Sequence, residues 1–253
     1  MSHTFPRLLP ASATGLAAGL ALSLFAVVPV AQAESPEETI TERLNQAVPG
    51  LRIDSVSESV VSGLYEVRTN NRDMIYATED GEYLIAGELM QLTDEGVVNV
   101  TEQARSGDRA KTMEAFGDDG VIAFKAAGEE KAVVSVFTDI DCPYCRKLHD
   151  EMGRINELGI TVNYYAFPRS GTGTPSFLKY ESVWCSDDPQ AAMSRAKAGA
   201  QIEERTCDNP VGEQYQLGQR IGVTGTPAIV LEDGSMIRGY VPADKLAEGL
   251  GLL

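Results

Sequence analysis

The chain has 253 residues, 37 of them acidic against 21 basic, for a net charge of −16. A surface this acidic repels nucleic acid and anionic lipid, so neither is expected as a partner. Four cysteines are too few to staple a small scaffold, and each is expected to have a specific task.

Residues 1–33 read as a signal peptide. Arg7 supplies an early positive charge. The apolar run from Gly15 to Val28 is shorter than the roughly twenty residues that a spanning helix needs. Ala31-Gln32-Ala33 then offers a small-x-small cleavage signature, placing cleavage after Ala33. An uncleaved membrane anchor is the rival reading. The remaining chain is long enough for two domains, and an exported chain with an even cysteine count favours disulfides over free thiols.

Residues 34–97 form the first expected domain. Ser35, Pro36 and Glu38 make a helix start of cap, first-turn proline and capping box. Ile40, Leu44 and Val48 follow at helical spacing, and Pro49-Gly50 ends the helix. Alternating apolar residues from Leu51 to Val67 predict strands. Met74-Ile75-Tyr76 and Tyr83-Leu84-Ile85 flank Glu79-Asp80-Gly81, a hairpin signal. A unit this small is near the limit of independent stability, so it is expected to complete its core by pairing with a copy of itself. Residues 98–117 contain a polar linker helix, Thr101 to Phe116, with Gly107 as its weak point.

Residues 118–253 form the second domain. Ala132 to Thr138 (AVVSVFT) is a short β-branched run, as expected for a buried strand. Cys142 to Glu157 is helical, with Leu148, Met152 and Ile155 on one face. Ile160 to Phe167 is the next strand. Pro175 to Ile221 reads as a helical insertion. Ala228 to Leu231 and Met236 to Tyr240 are strands joined at Asp233-Gly234, and Ala243 to Leu250 is a closing helix. This order predicts an α+β fold with one mixed sheet covered by helices.

The chemistry points to Cys142-Pro143-Tyr144-Cys145. A cysteine between a buried strand and a helix faces the helix's unpaired N–H groups and the positive end of its dipole. Both favour a thiolate, the form that attacks disulfides. The second cysteine, one turn on, is placed to resolve the mixed disulfide. The same spacing can be half of a zinc site, but only His149 and the two remaining cysteines could complete it. A purely structural bridge over two residues would restrain the unfolded chain little. Asp139 and Asp141 read as solvated strand-end residues, with Asp141 a candidate helix cap. His149 shares a helix face with Cys145 and reads as a partly exposed helix histidine rather than a proton shuttle.

Thr226-Pro227 stands just before a strand, where a proline cannot donate to the ladder. A trans loop proline is the ordinary reading, and the upstream cysteine motif favours a cis bond instead. Cys185 and Cys207 lie in the insertion and read as a structural pair, shielded by Trp184. A bridge over that loop stabilises by about 3 kcal/mol. A second redox pair is the competing reading, but it lacks the strand and helix context.

The segment Val136-Phe137-Thr138-Asp139-Ile140-Asp141-Cys142-Pro143-Tyr144-Cys145-Arg146-Lys147-Leu148-His149 resembles the active-site segment of the DsbC/DsbG family of periplasmic disulfide isomerases. Leu158 to Val162 with Ala166 to Arg169, Gly222 to Ala228, Trp184-Cys185 with Cys207, and Val98 to Thr101 extend the likeness over most of the mature chain. The resemblance implies a homodimer with a cystatin-like N-terminal dimerisation domain, a linker helix and a C-terminal thioredoxin fold with a helical insertion. It implies Cys142 as nucleophile, Cys145 as its partner, and Thr226, cis Pro227 and Tyr144 at the substrate. It further implies a structural Cys185–Cys207 disulfide, no cofactor or metal, misfolded or mis-oxidised exported proteins as substrates, and a membrane reductant of the DsbD type. The expected activity is rearrangement of incorrect disulfides in the periplasm, with possible chaperone action. The alternatives are reduction of sulfenylated cysteines, dithiol oxidation and holdase activity. The second disulfide matches the DsbC pattern, whereas Pro143-Tyr144 matches the central dipeptide of DsbG.

Overall fold

The structure is a computed structural model and describes residues 35–70 and 74–253. The predicted signal peptide and its cleavage point lie outside these residues.

The Ser35-Pro36 start opens helix α1 (Pro36–Ala47), which buries Ile40 and Leu44. Val48, expected on the same face, falls one residue beyond the helix and is exposed. Strands β1 (Ile53–Glu58), β2 (Leu64–Thr69), β3 (Met74–Thr78) and β4 (Leu84–Ala86) form an antiparallel sheet in sequence order. Ile40 and Leu44 pack on Tyr65, Val67 and Ala77 of this sheet. A separate hairpin, β5 (Met90–Thr93) and β6 (Gly96–Asn99), follows. It was not among the expected elements, although Met90-Gln91-Leu92-Thr93 alternates apolar with polar residues ahead of an Asp94-Glu95-Gly96 turn; every residue of β5 is exposed.

Helix α2 (Val100–Phe116) starts one residue earlier than predicted. Asn99 caps it by accepting a hydrogen bond from the Glu102 N–H at 2.9 Å. Its first turn meets the N-terminal sheet, where the Thr101 and Tyr76 hydroxyls are 2.5 Å apart. Further along, the buried Arg109 donates to the Ile221 carbonyl at 3.2 Å and to the Gly234 carbonyl. Gly234 sits at φ +78, and a Cβ there would lie 2.0 Å from the Ser106 carbonyl oxygen. Only glycine allows α2 this close.

The second sheet comprises β7 (Ile122–Phe124), β8 (Ala132–Thr138), β9 (Ile160–Ala166), β10 (Ala228–Val230) and β11 (Met236–Arg238), in the order β11-β10-β8-β9-β7. β8 and β9 are parallel and the other pairs antiparallel. Period-2 side chains send Val134, Val136, Ile160, Val162 and Tyr164 to one core, and Phe137, Tyr165 and Phe167 to the other. Helices α3 (Pro143–Asp150), α4 (Met152–Glu157), α5 (Pro175–Trp184), α6 (Pro189–Lys197) and α8 (Ala243–Gly249) contribute to the first core. Leu217 of α7 (Val211–Arg220) packs into the second, with Met113 and Phe116 of α2 against it.

Two details differ from expectation. The edge strand β7 is only three residues long and left no pattern to read. The helix expected over Cys142 to Glu157 breaks at Glu151, whose carboxylate accepts from the Ala243 N–H at 2.8 Å and from the Tyr240 hydroxyl. That residue ties the end of α3 to the start of α8.

Candidate active site

β8 ends at Thr138, and the chain turns through Asp139-Ile140-Asp141 into α3. Cys142 is the N-cap residue, in extended conformation, and Pro143 takes the first helical position. No side-chain oxygen caps this helix. Its first N–H groups face the Cys142 sulfur instead. Burial pushes the Cys142 thiol up, but the N–H groups of Cys145 and Tyr144 and the Thr226 side chain outweigh it. The net pKa lies below the ordinary thiol value.

Cys145, one turn into the helix, is fully buried. Burial pushes its pKa above the ordinary value, against the opposing charge of Lys197 and hydrogen bonds from the Asp139 N–H and the Thr226 and Thr138 side chains. The Asp139 N–H lies 3.4 Å from its sulfur. Both cysteines are free thiols. One motif thus carries two thiols shifted in opposite directions.

The Thr226–Pro227 bond is cis. The Cys142 thiol donates to the Thr226 carbonyl at 3.3 Å, which brings the proline loop against the cysteine pair across a long stretch of chain. The buried Thr226 hydroxyl has no well-formed hydrogen bond of its own. The Pro227 carbonyl accepts from the Gly239 N–H at 2.8 Å, fastening this loop to the end of β11. Cys142 is only 2% exposed, while Tyr144 beside it is 62% exposed.

Two expectations about the acidic residues need correction. Asp139 is not solvated. It is 3% exposed and accepts from the Asp141 N–H, the Arg169 N–H and Arg169 Nε at 2.8, 2.9 and 3.0 Å. Burial of a carboxylate requires such partners, and Arg169 lies after β9, too far along the chain to be inferred as one. Asp141 does not cap α3 and pairs with Arg146 and Lys179.

His149 is partly buried and turns away from the sulfurs. Its Nδ1 lies 3.1 Å from the Tyr164 hydroxyl and its Nε2 3.0 Å from the Ser194 hydroxyl. Burial, helped by the nearby Lys197 charge, lowers its pKa to about 4, so it is neutral near pH 7. Cys185 and Cys207 form a disulfide joining the end of α5 to the loop before α7. Trp184 donates its indole N–H to the Gly120 carbonyl at 2.6 Å and packs on Tyr180, while Cys207 stays exposed rather than shielded.

Sequence reading missed Lys197. A lysine ending an alanine-rich helix has the pattern of a solvated residue, and nothing local marks it otherwise. In the structure it is 3% exposed and reaches Thr138, its Nζ 2.8 Å from the hydroxyl.

Comparison with known proteins agrees with this geometry. The family model described as the disulfide bond isomerase protein N-terminal domain matches residues 31–102, and that of the thioredoxin-like domain matches residues 121–252. The thiol:disulfide interchange protein DsbC of Dickeya dadantii is 39% identical over 85% of this chain and 86% of its own length. DsbC of Salmonella typhimurium is 38% identical over 78% of this chain and 81% of its own. DsbC of Escherichia coli K12 is 35% identical over 86% and 89%. With an α+β fold that joins a DsbC-type N-terminal domain to a thioredoxin-like domain carrying a Cys-x-x-Cys dithiol, the chain belongs to the DsbC family of thiol–disulfide oxidoreductases and isomerases.

Proposed function

We propose that Cys142 is the attacking thiol and Cys145 the resolving thiol of an isomerase that acts on mis-oxidised exported proteins. The observation that carries this reading is the opposite shift of the two thiols within one helical turn. The Cys142 thiolate attacks one sulfur of a substrate disulfide, forming a mixed disulfide and releasing the other substrate sulfur as thiolate. If a different substrate thiolate then attacks the substrate sulfur of the mixed disulfide, a new substrate disulfide forms and Cys142 leaves unchanged. This is isomerisation, with no net electron transfer. If Cys145 attacks Cys142 instead, the substrate leaves reduced and the pair is oxidised. The second route consumes two electrons, so a membrane dithiol donor of the DsbD type must restore the pair. Thr226 and Pro227 border the attacking sulfur, and the exposed Tyr144 ring offers an apolar contact to the substrate.

The same reading divides the chain into an assembly unit at 34–97, a linker at 98–117 and a catalytic unit at 118–253. It makes the protein a homodimer. Tyr83, Leu84 and Ile85 at the free edge strand β4, with Met90, Leu92 and Val97 on the β5–β6 hairpin, are exposed large apolar side chains, and Leu92 reaches 81%. An edge strand with exposed apolar residues is a template for another chain, and a second copy would cover it. Export to the periplasm, with a signal peptide cleaved after Ala33, fits the Cys185–Cys207 disulfide, which persists in an oxidising compartment.

The test is to trap mixed disulfides with Cys145→Ala in cells and to refold a scrambled multi-disulfide protein with the wild type. Trapped multi-cysteine exported proteins and efficient rescue, lost in Cys142→Ala, are expected. Equal rescue by Cys142→Ala would sink the reading. Trapped partners with single, sulfenylated cysteines would transfer the assignment to sulfenic-acid reduction, the chemistry that the Pro143-Tyr144 dipeptide resembles.

A further inference from the structure

β8 ends at Thr138, and the peptide that joins Thr138 to Asp139 serves two neighbours. Its N–H lies past the end of the strand and donates to the Cys145 sulfur at 3.4 Å. Its carbonyl, on the Thr138 side, accepts from the Phe167 N–H at 2.9 Å and from the Tyr180 hydroxyl. A trans peptide is planar, so its carbonyl and N–H point in opposite directions, and fixing one aims the other. A carbonyl that accepts hydrogen bonds also polarises the N–H of its own peptide and makes it a stronger donor. The far side of the peptide is held as well. The Asp139 carboxylate accepts from the Asp141 N–H, the Arg169 N–H and Arg169 Nε at 2.8, 2.9 and 3.0 Å, and the Asp139 carbonyl accepts from the Cys142 N–H at 3.2 Å. Tyr180, on α5, is fully buried, and the Phe167 N–H alone would satisfy the carbonyl that its hydroxyl reaches.

We propose that Tyr180 is a positioning residue for resolution: through the Thr138–Asp139 peptide it aims and strengthens the N–H donor that holds the Cys145 sulfur as a thiolate. The inference rests on the assignment of Cys145 as the resolving thiol. A thiolate accepts a hydrogen bond better than a thiol does, so a fixed donor favours the ionised form. In resolution the Cys145 S–H bond breaks and its proton leaves to water. The thiolate electron pair then forms the bond to the Cys142 sulfur. The S–S bond to the substrate breaks, and the substrate sulfur leaves as a thiolate with that electron pair. Faster resolution shortens the life of the mixed disulfide, leaving less time for a second substrate thiolate to attack it. Tyr180 thereby weights reduction of the substrate against isomerisation.

The hydrogen bond from the Asp139 N–H opposes the burial that raises the Cys145 pKa. Other charged and titratable groups face this sulfur. Lys197 of α6 favours the thiolate; burial lowers its own pKa to about 8. Arg169, after β9, is an opposite charge, and its ion pair with Asp139 does not involve Tyr180. The pKa of Tyr164 on β9 and of Tyr180 is raised well above the ordinary value by burial, so both keep their protons. His149 turns away from the sulfurs and is neutral above about pH 4. In the mixed disulfide Cys142 does not titrate. Removing the Tyr180 hydroxyl therefore changes no charge around Cys145.

The test uses the full-length protein with a chromogenic aromatic thiol linked to Cys142 as a mixed disulfide. Stopped-flow absorbance then gives the rate at which Cys145 expels it, against pH. Tyr180→Phe keeps the ring and removes only the hydroxyl. The pH midpoint of expulsion should rise by about half a unit. At pH 7 expulsion should slow about twofold, because the roughly threefold loss of thiolate is partly offset by its greater nucleophilicity. In the magnetic resonance spectrum of the reduced variant the Asp139 amide proton should move upfield, as a weakened N–H donor requires. A folded Tyr180→Phe protein with an unchanged pH profile overturns the proposal. So does slowed expulsion with an unmoved Asp139 resonance, which would make Tyr180 a packing residue. If Tyr180→Phe does not fold, Tyr180→3-fluorotyrosine decides, since its more acidic hydroxyl donates more strongly. Faster expulsion at pH 7 then supports the proposal, and equal or slower expulsion overturns it. Failure of wild-type Cys145 to expel the thiol at any pH would instead remove the resolving role on which the inference stands.

Discussion

The five-stranded sheet of the catalytic half has a packed core on each face, while the four-stranded sheet of the N-terminal half ends in a strand whose three residues are all exposed. In the first, Phe137, Tyr165 and Phe167 on one face and Val134, Val162 and Tyr164 on the other are covered by the chain's own helices. In the second, α1 and the start of α2 cover β1 to β3, but β4 and the β5–β6 hairpin keep their apolar side chains in solvent. Burial follows from how many elements each half has available. The catalytic half puts eleven elements on one sheet, and α2 adds Met113 and Phe116 to its second core. The N-terminal half has too few to close its own surface, which the proposed second copy would cover.

This contrast can be broken from either side. The largest effect is expected from Leu92→Glu combined with Val97→Glu, which places charges in the proposed interface of both copies. The dimer dissociation constant should rise at least a thousandfold, about 4 kcal/mol. Sedimentation should show monomers, while alkylation of Cys142 keeps its rate within about twofold. An intact double-variant dimer would move the interface elsewhere. Next comes removal of the second disulfide. Cys185→Ala with Cys207→Ala should lower the denaturant stability of the catalytic half by about 3 kcal/mol and leave association untouched. A loss of dimerisation would contradict the independence of the two halves. Smaller still is Gly218→Ala in α7. Alanine favours helix by about 1 kcal/mol over glycine. Here its Cβ would sit 2.5 and 2.7 Å from the Phe167 ring and 2.9 Å from Phe137. A net destabilisation of about 1–3 kcal/mol is expected in urea unfolding, and a stabilised variant would show that α7 has room to move.

The contrast also marks where sequence reading succeeds. The run Ala132 to Thr138, the parallel strand from Ile160 and the Cys142 helix start were legible because buried β-branched runs and caps are local signals. The β5–β6 hairpin carried an equally local signal, the alternation of Met90-Gln91-Leu92-Thr93 before Asp94-Glu95-Gly96, that went unread; what no local pattern shows is that its apolar residues stay in solvent. At the site, the two cysteines and Thr226-Pro227 could be read from motif and position. Asp139 was misread because its partner Arg169 arrives after another strand. Lys197 was invisible because Thr138, the group that receives it, stands 59 residues away. Pairings across the core carry no local pattern, and they are what sets the ionisation of the site.

The smallest effect is one of pH, and it separates the two halves by a single side chain. His149 is the only histidine among the described residues, so the N-terminal half between residues 35 and 99 has none. Its folded pKa, about 4, lies below the ordinary 6.5 because burial disfavours the charged ring. Between these values the unfolded chain binds a proton that the folded chain does not. Stability contributed by the neutral ring is therefore fully present above about pH 6.5 and is lost progressively as pH falls toward 4. By pH 5, still above most carboxylate pKa values, the loss should be about 1–2 kcal/mol, allowing for the partly exposed ring. His149→Gln keeps hydrogen-bonding groups for Tyr164 and Ser194 but does not titrate. Urea midpoints of the catalytic half at pH 7 and pH 5 should therefore converge in this variant and diverge in the wild type, while the dimer dissociation constant changes equally in both proteins. If the wild-type midpoints already coincide, His149 is as well solvated when folded as when unfolded, and its bonds to Tyr164 and Ser194 do not bury it.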